Sequence, residues 1–89
     1  PMTALAVIIN QQANNADSAA AYLHGLKAAG IAYDLYEVDA SELEATIKNC
    51  QPKYETLLVG GGDGTVRSAA HYCANTNTLL GVLPLGTLN

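Results

Sequence analysis

Basic side chains are scarce in this sequence: four Lys and Arg stand against eight Asp and Glu in 89 residues, a formal net charge of −4. That balance argues against nucleic acid as a partner, because such binding needs several phosphate contacts from Lys and Arg. It argues equally against adsorption of this part of the chain to anionic lipid. Trp and Phe are absent. The tyrosines (Tyr22, Tyr33, Tyr36, Tyr54 and Tyr72) are too scattered to form a stacking ladder for single strands. Cys50 and Cys73 are the only cysteines, and the chain has no C-x-x-C pair and no Cys/His metal spacing. Both read as small buried hydrophobes in a reducing compartment, and no metal site is expected. His24 and His71 fall in helical stretches with no Ser, Cys or metal ligand at a meaningful spacing. No apolar run approaches the length of a membrane span. No basic, apolar secretory leader opens the chain, which makes the cytoplasm the default location.

What is abundant is aliphatic. Hydrophobic residues make up 49% of the chain and charged ones 13%, a balance suited to one small domain with a buried parallel sheet. Ala4 to Ile9 is a continuous apolar run and reads as a strand buried on both faces. A helix follows, with a small-residue face from Ala16 through Leu23 and Leu26, capped by Asn15 or Asp17 and stopped at Gly30. Ile31 to Val38 alternates and reads as a strand nearer an edge. A helix then starts between Asp39 and Glu44, with Ser41-x-x-Glu44 as a capping box. Leu43, Ile47 and Cys50 form its buried stripe, and Pro52 ends it. Glu55 to Val59 is the third strand. A helix with Val66, Ala69, Ala70 and Cys73 at helical spacing follows a glycine turn and runs to about Ala74. Leu79 to Leu83 is the fourth strand. The order β-α-β-α-β-α-β implies a three-layer, Rossmann-like α/β fold with a parallel sheet, and strand order 2-1-3-4 is expected.

The stretch from Gly60 to Thr65 is the chemical centre. Glycines there are expected to take positive φ and to leave room for a ligand. The turn leaves backbone N–H groups at a helix start, where the dipole favours an anion. Neutral N–H donors can hold a phosphate without lysine, so the acidic balance is no obstacle. The pattern fits neither the G-x-G-x-x-G dinucleotide fingerprint nor the Gly-Lys-Ser/Thr end of a Walker loop. In a doubly wound sheet the turns at Asn10, at Gly60 to Thr65 and at Pro84 to Thr87 meet at one rim.

Two motifs carry a resemblance. Gly61-Gly62-Asp63-Gly64-Thr65 resembles the nucleotide loop of the diacylglycerol kinase catalytic domain family, whose superfamily includes sphingosine kinases, NAD kinases and, more distantly, 6-phosphofructokinase. Gly81-Val82-Leu83-Pro84-Leu85-Gly86-Thr87-Leu88-Asn89 is similar to the family's next motif, a strand followed by Pro-x-Gly-Thr-x-Asn. The resemblance spans the chain but only the first part of the family's enzyme. It implies the N-terminal, nucleotide-binding portion of a bacterial-type lipid kinase that uses ATP and Mg²⁺ to phosphorylate a lipid hydroxyl such as that of diacylglycerol. The implied nucleotide-binding residues are Asn10, Gly61, Gly62, Asp63, Gly64, Thr65, Gly86 and Thr87. Asp63 is the implied catalytic residue within the chain, while the main base and metal ligands would belong to a β-rich second domain.

Asn10 matches the start of the family's Asn-Pro-x-Ser-Gly motif, but Gln11-Gln12-Ala13-Asn14 lacks its Pro and Gly. Arg67 and Ser68 stand where Asn-Glu is frequent, and Arg67 reads as solvated. The alternatives are an NAD-kinase-like domain and a non-catalytic nucleotide-binding module. A chain that opens Pro1-Met2 and closes on a functional-looking motif reads as a piece of a longer protein. Such a piece is expected to lack kinase activity and to self-associate through apolar surface near the fourth strand.

Overall fold

A computed structural model describes residues 4–13 and 18–85. Its elements alternate as β1 (Leu5–Asn10), α1 (Ala19–Ala28), β2 (Asp34–Val38), α2 (Ala40–Cys50), β3 (Thr56–Gly61), α3 (Asp63–Cys73) and β4 (Leu79–Pro84). The four strands form one parallel sheet in the order β2-β1-β3-β4, the order expected. The apolar run of β1 takes a central position. Ala6 and Ile8 are buried under α2 and α3, with Leu43, Ile47, Cys50, Ala69 and Cys73. Val7 and Ile9 are buried on the opposite face, where Ala19, Leu23 and Leu26 of α1 pack. Continuous hydrophobicity is what a strand covered on both sides requires.

The ends of the elements follow their neighbours. At the end of α1, Gly30 takes φ +75°. The Gly30 N–H donates to Lys27 O at 3.0 Å and the Ile31 N–H to Leu26 O at 2.9 Å, the Schellman closure that glycine permits. Because Ile31 completes this closure and the β1–β2 register begins at Ala6↔Asp34, β2 starts at Asp34 rather than Ile31. The helix caps expected at Asn15 and Asp17 lie outside the described residues.

The Ser41-x-x-Glu44 capping box does not form: α2 begins at Ala40, with Asp39 at the N-cap position and no side-chain bond from it to the helix. Strand β3 runs two residues past Val59, because β4 continues beside it through the pairs Gly60↔Leu83 and Gly61↔Pro84. Gly60 and Gly61 are therefore strand residues and not part of a turn.

Both outer strands carry exposed aliphatic side chains: Leu35 on β2, and Leu79 (69% exposed) and Val82 on β4. Among the described residues, no helix is long and apolar enough to cross a membrane.

Candidate functional site

The register lines up the carboxyl ends of the strands. Asn10 pairs with Val38, Ile9 with Gly60 and Gly61 with Pro84, so Asn10 and Gly61 stand level on adjacent strands. Beyond this rim, between the first turns of α2 and α3, lies a cleft of about 500 Å³. Asn10, Gln12, Gly62, Gly64, Thr65 and Ser68 supply much of its lining, together with Ala13, Ala40, Leu43 and Glu44. Neither Lys nor Arg is among them.

Of the residues proposed from sequence, Asn10, Gly62, Gly64 and Thr65 come together in the cleft. Gly61 is buried one step behind it, at the end of β3. Asp63 is the first residue of α3 and is exposed, outside the lining. Gly86 and Thr87 lie outside the described residues. Arg67 is exposed on α3. His24 and His71 are also exposed.

The glycines do not work as expected. Among the described residues Gly30 is the one glycine with positive φ, and Gly62, the N-cap of α3, has φ −91° and ψ −164°. The constraint at the loop is space. A Cβ on Gly61 would collide with Thr65 Oγ1, and would lie 2.6 Å from Thr65 Cβ. A Cβ on Gly60 would lie 2.8 Å from both Ile9 Cδ1 and Leu85 Cδ1. Glycine at 61 lets the buried Thr65 fold back against the strand and brings the start of α3 to the rim. With glycine as N-cap, no side chain caps α3, so its first-turn donors and positive dipole end face the cleft.

The first loop is held from its neighbours. Asn10 Oδ1 accepts from the Gln12 N–H at 3.0 Å, and the Gln11 N–H donates to Val38 O at 3.0 Å. Gln11 Nε2 donates to Asp39 Oδ1 at 2.6 Å. Gln12 Oε1 accepts from the Ala40 N–H at 2.9 Å and so caps α2 across the chain. On the far wall the Tyr72 hydroxyl donates to Glu44 Oε1 at 2.5 Å, which raises the phenol's pKa through that bond.

Gln12, Glu44 and Ser68 were not proposed as site residues from sequence. The signal for two of them was helical spacing: Glu44 stands one turn after Ala40, and Ser68 one turn after Gly64, on the faces that line the cleft. Nothing local marked Gln12.

A family model for the diacylglycerol kinase catalytic domain matches residues 4–89. The chain belongs to this family. Two solved structures share its fold. One, "a putative diacylglycerol kinase from Bacillus anthracis str. Sterne", superposes with a TM-score of 0.74 at 21% identity, over 96% of this chain and 33% of that one. The other, a crystal structure carrying the same description and source, gives a TM-score of 0.67 at 27% identity, over 96% of this chain and 34% of that one. This member of the diacylglycerol kinase catalytic domain family thus spans about a third of the length of these relatives.

The donor set fits the phosphates of a nucleotide: N–H groups at the uncapped start of α3, the Thr65 hydroxyl and amide side chains. It does not fit a metal. Among the described residues no group of three His, Cys, Asp or Glu side chains is placed to hold an ion.

Proposed function

We propose that the cleft holds the phosphate chain of ATP, and that residues 1–89 form the N-terminal nucleotide-binding part of a lipid kinase. The acceptor, a lipid hydroxyl such as that of diacylglycerol, would be held by a β-rich domain beyond these residues. The observation that carries the reading is the start of α3, which has a glycine N-cap, no capping side chain, and opens on a cleft free of basic residues. Bound ATP would supply the γ-phosphoryl group. The chain's residues would bind and orient it: α3 amides at Gly64 and Thr65 donate to phosphate oxygens, Thr65 adds a hydroxyl, and Asn10 shapes the facing loop. Asp63 is proposed to lie at the phosphate end, and the Gly86-Thr87 turn to contribute further donors. Phosphoryl transfer depends mostly on such positioning and charge stabilisation.

The family match favours a lipid acceptor over NAD. One observation favours a second reading, a non-catalytic nucleotide-binding module: Ser68 lines the cleft at a position where glutamate is frequent in the family. Cytoplasmic location and self-association through the exposed Leu79 and Val82 of β4 complete the proposal.

Calorimetry with ATP, ADP and adenosine tests the site. ATP and ADP are expected to bind and adenosine to bind more weakly; absence of heat from any nucleotide at millimolar concentration would remove the site. Phosphorylation of diacylglycerol by the 89-residue chain would refute the need for a second domain. Light scattering that shows only monomer over a wide concentration range would refute self-association.

A further inference from the structure

The two edges of the sheet are unlike. β2 forms one and β4 the other. β2 carries Asp34 and Glu37, and charge is one of the devices that keep an edge strand from pairing with another chain. β4 reads Leu79-Leu80-Gly81-Val82-Leu83-Pro84, without charge and with proline only at its last position. Every Asp and Glu of the chain precedes Gly64, and no Lys or Arg follows Arg67. Two copies of this acidic chain can therefore meet along β4 without setting carboxylate against carboxylate. The backbone of β4 has a free side as well. The Leu79 N–H donates to Glu55 O at 2.9 Å and the Leu85 N–H to Gly61 O at 3.2 Å. Successive residues of a strand turn their N–H and C=O groups to opposite sides, so Gly81 and Leu83 also address β3, while Leu80 and Val82 address the outside. Among the described residues no strand lies there, and the side chains of Leu79 and Val82 are exposed.

We propose that β4 is the interface of a closed homodimer, in which two copies pair their β4 edges antiparallel about a two-fold axis at Gly81 and join two sheets into one. The inference rests on the self-association read above and gives it a surface and a register. In an antiparallel pair, the residues that exchange both N–H···O=C bonds must both face outward. With the axis at Gly81, Leu80 of one copy stands opposite Val82 of the other, and the reverse, so both pairs are complete. A register centred on Val82 would set Leu80 opposite Pro84, which has no N–H. One centred on Leu80 would run past the first residue of the strand. Gly81 then faces its own copy at the narrow kind of pair, where backbones approach most closely, and brings no side chain into the gap. Leu79 meets Leu83 across the seam. The charged β2 edge does not repeat the contact, so assembly closes at the dimer.

Sedimentation of the 89-residue chain over a wide concentration range reads the association, and circular dichroism checks that each variant is folded. The unmodified chain is expected to pass from monomer to dimer and stop there. Val82→Pro removes an outward N–H and leaves the bonds to β3 in place. Val82→Lys keeps the whole backbone and sets a charge on each side of the seam; it decides the matter if the proline variant does not fold. Each is expected to weaken dimerisation at least about tenfold, while Leu35→Lys, on the β2 edge, leaves it unchanged. A folded Val82→Lys that dimerises as the unmodified chain does overturns the β4 interface and leaves self-association to another surface. Equal weakening by Leu35→Lys, or growth beyond the dimer, also overturns it. A chain that stays monomeric at every concentration removes the self-association reading itself.

Discussion

The two ends of the sheet each carry a groove, and size does not tell them apart. The groove at the amino end, lined by residues from Gln51 to Thr56 and from Asn77 to Leu79, has a volume of about 680 Å³, larger than the cleft of about 500 Å³ at the carboxyl end. Their chemistry differs. The amino-end groove meets the C-terminus of α2, whose dipole end is negative. Several of its polar side chains pair with one another: Gln51 Nε2 donates to Thr78 Oγ1 at 2.8 Å, and Thr78 Oγ1 donates back to Gln51 O at 3.0 Å. Tyr54 donates to Asp34 Oδ2 at 2.7 Å and shares a 2.6 Å hydrogen bond with Tyr36, whose ring meets its own edge-on. The carboxyl-end cleft has two helix N-termini, glycines and few side chains of any length. One end is crossed by hydrogen bonds among its own side chains, and the other presents the uncapped start of α3.

The comparison is broken most forcefully at Gly61. Gly61→Ala sets a methyl against Thr65 and must push the start of α3 away from the rim. We expect a loss of about 2–3 kcal/mol, the scale of core overpacking, read as a lower denaturant midpoint at unchanged slope, together with loss of ATP binding. Full retention of both would show that α3 is not held by this contact. Tyr54→Phe strikes the other end. It removes a part-buried donor to a carboxylate and is expected to cost about 1–2 kcal/mol while leaving ATP affinity unchanged; a matching fall in affinity would mean that the two ends are coupled.

The smallest effect is in pH. The hydrogen bonds with Tyr36 and Asp34, in that order, and then burial push the Tyr54 phenol above its ordinary range. Burial raises the thiols of Cys50 and Cys73 above their ordinary value of 9.0. In each case the fold favours the neutral acid, so the folded chain retains protons that the unfolded chain releases. Their contribution is intact below about pH 9 and declines as pH rises beyond it. A thermal midpoint that falls above that pH, and falls less steeply in Tyr54→Phe, is the expected record. A midpoint flat to pH 11 would contradict it.

Much of the fold was legible because its signals are local. The unbroken apolar run of β1 marked a central strand, and the alternation from Ile31 to Val38 marked an edge strand. Leu43, Ile47 and Cys50 marked the buried face of α2. The β-α alternation implied a parallel sheet, the order 2-1-3-4 was expected from doubly wound folds, and the rim followed from that order. Of the cleft, the sequence marked Asn10, Thr65 and the glycines Gly62 and Gly64. The reason first given for them, positive φ, was replaced by the close approach of Thr65 to Gly61. The expected Ser41 capping box is absent because α2 starts one residue earlier, at Ala40, whose N–H is taken by Gln12.

The sequence by itself determined the alternation of elements and a parallel sheet, since hydrophobic period and glycine position act within a few residues. Only the tertiary structure decided that Gln12 caps a helix 28 positions away, that Glu44 and Ser68 face the same cleft, and that Tyr36, Tyr54 and Asp34 close the opposite end. Those contacts join residues whose local sequence says nothing of one another, and they exist only once the sheet has set their distance.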